Sequence, residues 1–340
     1  MSIRNEIAEV VKSTNMLDWA EKVSTKRNLS KEETEVSQLV DAWAKDVGEK
    51  GSDEGHEISA FIRKTIDSNP TYTYPSELFD MMFDMDSIGE FDDIEYDEVP
   101  KNTLVAYESA KGGNVPKSYL DTAKNDITWK HLQVETRIPY ARLRRNGYLT
   151  IASATMFAKE ALEEKRLQTV MGIINSELAR LNPSVGTKLG NLITVNGALT
   201  MTAMDALSLW VLDHSDGGDT GFVFTQNKYA QAIARMAGHN SYMSNDMKNE
   251  FNKYGLVKEY GGLLIGGYSG AKKTADGQPI LSDGIFGISG KIGQMVDRGE
   301  LRIYETMNNS KEAVDLKFTG YEFGTKITRI DKIAKIEFSN

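Results

Sequence analysis

Residues 286–305 read FGISGKIGQMVDRGELRIYE, and residues 314–338 read VDLKFTGYEFGTKITRIDKIAKIEF. Apolar side chains recur here with a period of two, the spacing that turns one face of a strand into a core and the other toward solvent. A run of buried character ends in the turn Val296-Asp297-Arg298-Gly299. Leu301 and Ile303 begin the next strand, and a polar loop at 308–311 follows. Two more alternating runs come after it, one through Val314, Leu316 and Phe318, the other through Tyr321 and Phe323. The end of the chain is therefore predicted to be sheet.

Upstream of this sheet, strands and helices mix without regular βαβ alternation. Residues 192–195 and 221–225 read as strands, 202–214 and 226–236 as helices. Leu263, Leu264 and Ile265 form a short strand in a glycine-rich stretch. This order favours an α+β fold over a doubly wound sheet. Residues 151–181 carry the strongest helical pattern, about 45 Å long at 1.5 Å per residue. Ile151, Ala154, Phe157, Ala158, Ala161 and Leu162 share one side. Leu167, Val170, Met171, Ile174, Leu178 and Leu181 cluster nearly opposite. A helix with two stripes is expected to be covered by different partners at its two ends.

Residues 101–142 read as a long hairpin. Its tip, Lys111-Gly112-Gly113-Asn114-Val115-Pro116-Lys117, is rich in turn formers. On the return, Ile127 and Trp129 occupy one parity, and Leu132, Val134, Ile138 and Tyr140 the other, so a bulge or bend is expected near His131. A two-stranded ribbon is marginal in water by itself, which makes a neighbouring subunit the economical support. Lys130, Arg137, Arg142, Arg144 and Arg145 form the densest basic patch. A nucleic-acid site, a partner for acidic segments and a solvated basic edge are all open for it.

The amino-terminal third differs in character. Ser30-Lys31-Glu32-Glu33 is a capping box, followed by Val36, Leu39, Val40, Trp43 and Val47 on one helical face, with Gly48 as a plausible stop. Ile58, Phe61, Ile62 and Ile66 mark a second amphipathic helix. Residues 76–98 then hold ten acidic residues, among them Asp84, Asp86, Asp92, Asp93, Glu95, Asp97 and Glu98, and no Lys or Arg. Apolar residues such as Phe79, Met82 and Phe83 are interleaved, which pure disorder does not need. A solvated acidic loop with partial core contacts, an arm docking on a basic patch of another subunit, and a divalent-metal site remain open; the spacing matches no EF-hand loop.

The net charge of −9 over 340 residues is unevenly spread. Residues 1–100 carry 10 Lys and Arg against 24 Asp and Glu, and the rest carry 30 against 25, so an acidic arm precedes a mildly basic body. Overall acidity argues against a dedicated nucleic-acid reader. With no cysteine, disulfide and thiolate chemistry are excluded. Residues 1–11 lack the apolar core of a signal peptide, and no run approaches about 18 apolar residues, so a soluble protein without a membrane span is expected.

Catalytic patterns fail on inspection. The four histidines, His56, His131, His214 and His239, fall in no zinc-hydrolase spacing. Asp213-His214-Ser215-Asp216 has adjacent residues that point apart, and reads as a helix terminus rather than a triad. In residues 266–274, Ala271 precedes Lys272 and Lys273 separates it from Thr274, so the phosphate-binding loop pattern is broken. No cofactor is called for.

Taken in order over residues 99–340, these segments resemble the major capsid proteins of tailed bacteriophages, the Hong Kong 97 type of fold. The extended loop precedes a long spine helix. Gly221-Phe222-Val223-Phe224-Thr225-Gln226 and the helix after it resemble the strand-then-helix step of the axial domain, and Leu263-Leu264-Ile265-Gly266 its later strand. Ile285-Phe286-Gly287 and Val296-Asp297-Arg298 resemble the return into the peripheral domain, 318–328 its last long strand, and 330–338 the tail that rejoins the axial domain.

The resemblance implies an α+β phage-capsid fold in four parts. These are a helical and acidic arm (1–98), an extended loop (99–147), a peripheral domain with the spine helix (148–182 and 295–329) and an axial domain (183–294 and 330–340). It implies a non-enzymatic shell subunit that assembles with itself, through pentamers and hexamers, into an icosahedral virion capsid around double-stranded DNA. Binding of that DNA is not sequence-specific, and no membrane is involved. Assembly in the host cytoplasm, with scaffold, portal and decoration proteins as further partners, belongs to the same expectation. Residues 1–98 depart from the simplest pattern, since some members remove a scaffold-like segment there and others keep a long arm. Two alternatives stand beside it: an encapsulin-type compartment holding protein cargo, and a small-molecule enzyme using acidic residues of the axial-type domain.

Overall fold

The computed structural model describes residues 16–50, 58–59, 61–62, 77–88, 100–101, 121–122, 127–183, 188–215, 221–236, 243–254, 258–268, 273, 277, 279–298, 302–308 and 312–339. Helices α1 (Met16–Ser24) and α2 (Lys31–Lys50) come first, and α3 (Glu77–Met82) runs directly into β1 (Phe83–Ile88). A short antiparallel pair, β2 (Pro100–Lys101) and β3 (Asp121–Thr122), precedes β4 (Thr128–Pro139) and the long α4 (Tyr140–Leu181). Then follow β5 (Leu192–Asn196), α5 (Met201–Asp213), β6 (Phe222–Gln226), α6 (Asn227–Ala234), α7 (Asn245–Tyr254), β7 (Glu259–Tyr260) and β8 (Leu263–Tyr268). The chain closes with β9 (Ile285–Ile288), β10 (Gly293–Arg298), β11 (Arg302–Asn308), β12 (Ala313–Ile327) and β13 (Ile333–Ser339).

Two sheets flank α4. In the first, β12 is the central strand: β4 pairs along one side, while β11 and β10 share the other, and β1 lies parallel beyond β10. The second has the order β5-β13-β9-β6-β8-β7. The quoted C-terminal stretch is strand, as its alternation predicts, and it supplies strands to both sheets. The Val296–Gly299 turn is displaced, because β10 continues through Arg298 opposite Glu322.

The return run of the expected hairpin has a partner within the chain, while most of its outgoing run lies outside the described residues. β4 pairs with β12 of its own chain from Thr128 to Pro139, so one side of the strand is satisfied within the chain, and its other side is a sheet edge among the described residues. The expected bulge lies at the expected height but on the partner strand. Val134 pairs with Phe318 and Leu132 with Tyr321, leaving one extra residue on β12.

Helix α4 starts 11 residues earlier than its apolar pattern, at Tyr140. It bends at Asn146, where φ is −147° and ψ is 63°. The bend has a local cause. The Gly147 amide donates to Asp41 Oδ1 of α2 at 3.0 Å, which places a carboxylate at the amino end of the resumed helix, where the backbone dipole favours it. A Cβ on Gly147 would stand 2.2 Å from the Ala44 Cβ, so only glycine lets the two helices approach this closely.

Beyond the bend, the buried residues Ala158, Leu162, Arg166, Val170, Ile174 and Leu178 recur every four positions. At about 100° per residue such a ladder advances roughly 40° per step and winds around the helix. Its early part joins Trp19, Val36, Trp43, Phe61, Val314 and Phe318 in one apolar cluster. Its later part joins Phe79, Phe83, Phe224, Phe286, Met295 and Phe323 in another. The two ends of α4 are therefore covered by different partners. A third cluster, around Met204, Leu207, Val211, Val223 and Ile336, seats α5 on the second sheet.

The capping box of α2 forms as predicted. The Ser30 amide donates to Glu33 Oε2 at 2.7 Å, and the Glu33 amide donates to Ser30 Oγ at 3.2 Å. Lys22 of α1 donates to the same carboxylate at 2.7 Å. The Lys22 ammonium and then the Ser30 amide hold the Glu33 carboxyl below the usual range. α2 runs past Gly48 to Lys50.

Candidate assembly surfaces

The acidic stretch divides into a built part and a part outside the described residues. The helix and strand α3–β1 are held by the loop before β10. The Ile292 amide donates to the Met82 carbonyl at 2.7 Å, and Lys291 Nζ donates to the carbonyls of Asp80 and Phe83. Phe79, Met82 and Phe83 are buried. Residues 77–88 thus make the core contacts expected of the acidic stretch, and they do so as a helix and a strand rather than as a loop. Asp84 and Asp86 remain exposed on β1, at the sheet edge opposite β4. Asp92, Asp93, Glu95, Asp97 and Glu98 lie outside the described residues, as does the loop tip Lys111 to Lys117.

The basic patch is brought together in part. Arg137 projects from β4 and binds Asp315 of β12 with two bonds, Nε to Oδ1 at 2.6 Å and Nη2 to Oδ2 at 2.8 Å. Arg137 is thus occupied within the chain, and its guanidinium is held more firmly protonated chiefly by that bond. Lys130 is exposed near the other end of β4, opposite Phe323. Arg142, Arg144 and Arg145 lie on the first turns of α4, all exposed, and form no ion pair with the described residues.

Between β4 and those turns runs an open groove of about 630 Å³. Arg137, Arg142 and Arg145 line it together with Leu149, Ala154 and Phe157. Phe157 is 62% exposed. The sequence pattern placed it in the buried stripe, yet at 100° per residue it falls roughly 100° away from Ala158 and off the four-residue ladder. That offset was the available signal for a surface aromatic.

The catalytic look of Asp213-His214 resolves into a helix end. His214 Nδ1 meets the Trp210 carbonyl at 2.9 Å, and the two rings stack with centroids 4.1 Å apart. Among the described residues no group of three or more His, Asp or Glu side chains is placed to hold a metal ion. No helix among them is long and apolar enough to cross a membrane.

No family model matches the chain, and no curated protein sequence matches it. Solved structures do. The capsid structure of the cyanophage P-SCSP1u superposes with a TM-score of 0.52 at 14% identity, covering 77% of this chain and 88% of that one. The asymmetric unit of the bacteriophage PhiM1 mature capsid gives 0.50 at 12% identity, over 75% and 86%. At such identities the likeness is one of fold. The α+β chain, with its long α4 between two sheets, has the fold of tailed-phage capsid proteins.

Proposed function

We propose that this chain is a structural, non-enzymatic shell subunit. It assembles with itself, through pentamers and hexamers, into an icosahedral virion capsid that encloses double-stranded DNA without reading its sequence. The observation that carries this is the superposition on two phage capsid chains over three quarters of the sequence. The architecture supports it: α4 is braced by different clusters at its two ends, so it ties both sheets into one body able to bear load.

In this reading residues 99–127 form the loop that reaches over a neighbour, with Lys111 to Lys117 at its tip. The first sheet with α4 makes the peripheral part and the second sheet the axial part. Residues 16–62 contribute Trp19, Trp43 and Phe61 to the core under α4, at about 2 kcal/mol or more for each large side chain buried. They are accordingly kept in the shell rather than removed as a scaffold. Assembly takes place in the host cytoplasm, with scaffold, portal and decoration proteins as the further partners.

The test is the content of particles purified from cells expressing the chain with its native neighbours. Nuclease-protected double-stranded DNA is expected. Particles filled with a defined protein cargo would replace the virion reading with the encapsulin-type one.

A further inference from the structure

We infer that the groove between β4 and the first turns of α4 receives residues 89–99 of a second copy of the chain, an inference that rests on the shell reading above. The groove offers Arg142 and Arg145, which have no ion partner among the described residues, beside the apolar surface of Leu149, Ala154 and Phe157. Residues 89–99 read GEFDDIEYDEV: six carboxylates, no Lys or Arg, and Phe91, Ile94 and Tyr96 among them. Carboxylates answer the guanidinium groups, and the aromatic and aliphatic side chains answer the apolar floor. Charge complementarity of this kind sets register and speeds encounter.

The chain's own stretch is badly placed to fill its own groove. Ile88 stands level with His131 through the register Ile88–Arg298–Glu322–His131. From there the groove at Arg137 is three strand spacings across and six residues along, about 24 Å. The stretch must then return to Pro100, which pairs with Thr122. Thr122 lies within about 20 Å of Thr128, at the far end of β4 from the groove. The outward and return paths consume about ten residues at full extension, leaving almost none to lie in the groove.

The acidic and basic borders also occupy opposite edges of one sheet. Such a pair makes a head-to-tail contact between copies, which closes into a ring when the rotation between subunits allows.

The absence of cysteine in the chain permits a direct test. Two full-length copies with different tags are coexpressed, one carrying Tyr96→Cys and the other Phe157→Cys, and the particles are oxidised. A disulfide-linked dimer bearing both tags is expected. Its yield should drop about tenfold when Arg142→Glu and Arg145→Glu are added to the Phe157→Cys copy. Particles that form without the bridge, or a Tyr96→Cys/Phe157→Cys double variant that closes only within one chain, overturn the inference alone. Failure of the unsubstituted chain to form particles overturns the shell reading, and this inference with it.

Discussion

Replacing Asp297 by Ala removes the carboxylate that faces a buried cation in the middle of α4. The Arg166 side chain is 0% exposed, and its Nη2 donates to Asp297 Oδ1 at 2.7 Å. The same nitrogen contacts Met295 Sδ. The guanidinium carbon stands 5.2 Å from the Phe79 ring centre and 5.4 Å from that of Phe323. One cation thus joins the long helix to α3, β10 and β12.

A paired buried charge has small net value, but stripping one partner leaves the other desolvated, at about 3–5 kcal/mol. The two ring faces stay in place and retain roughly 1 kcal/mol each. A net loss of about 3 kcal/mol is expected for Asp297→Ala. Arg166→Met should lose less, about 1–2 kcal/mol, because the apolar surroundings accept it and Asp297, 19% exposed, can turn to water. The assay is urea unfolding of the dilute, unassembled chain at pH 7, extrapolated to water. A loss below about 1 kcal/mol for Asp297→Ala, or a larger loss for Arg166→Met, would refute the account of α4 as pinned by a desolvated cation.

Gly147→Ala should destabilise by about 1–2 kcal/mol although alanine is the better helix former, because its Cβ would collide with Ala44; a rise in melting temperature would contradict the close approach. Ser30→Ala should lower stability by about 1 kcal/mol through loss of the α2 cap, with thermal melts as the check. Because the Glu33 carboxyl is held below its usual pKa, its contribution is full above the ordinary carboxylate value of about 4.3 and is lost as pH falls through the depressed folded value. The stability gap between the native chain and Glu33→Gln should therefore close in strong acid; a gap that widens there would be inconsistent. Deleting residues 111–117 should leave the monomer's circular dichroism and melting temperature unchanged while blocking assembly, and normal particles from that deletion would remove the loop's assigned role.

Much of the fold was legible because its strands are half-buried. Val314, Leu316 and Phe318 alternate as the surface of β12 requires, and the Ser30–Glu33 box marks the start of α2 to the residue. The β4–β12 pairing was not legible, since a strand's partner is set by tertiary packing, and residues 127–140 alternate equally well beside either neighbour. The entry of α3–β1 into the sheet was masked by charge: Asp84 and Asp86 dominate the composition while Phe79, Met82 and Phe83 do the burying. The basic patch was visible as residues but not as a site. Arg137 is consumed by Asp315, a contact between positions far apart in sequence, and Phe157 joins Arg142 and Arg145 only because β4 and α4 frame a groove there.

The most direct test of the central claim is electron microscopy of the chain expressed at full length and purified by size. Closed shells, or free rings, built on fivefold and sixfold symmetry with one copy of the chain per lobe are expected. A uniform monomer or dimer, unchanged at high concentration and in the presence of a scaffold partner, would contradict it.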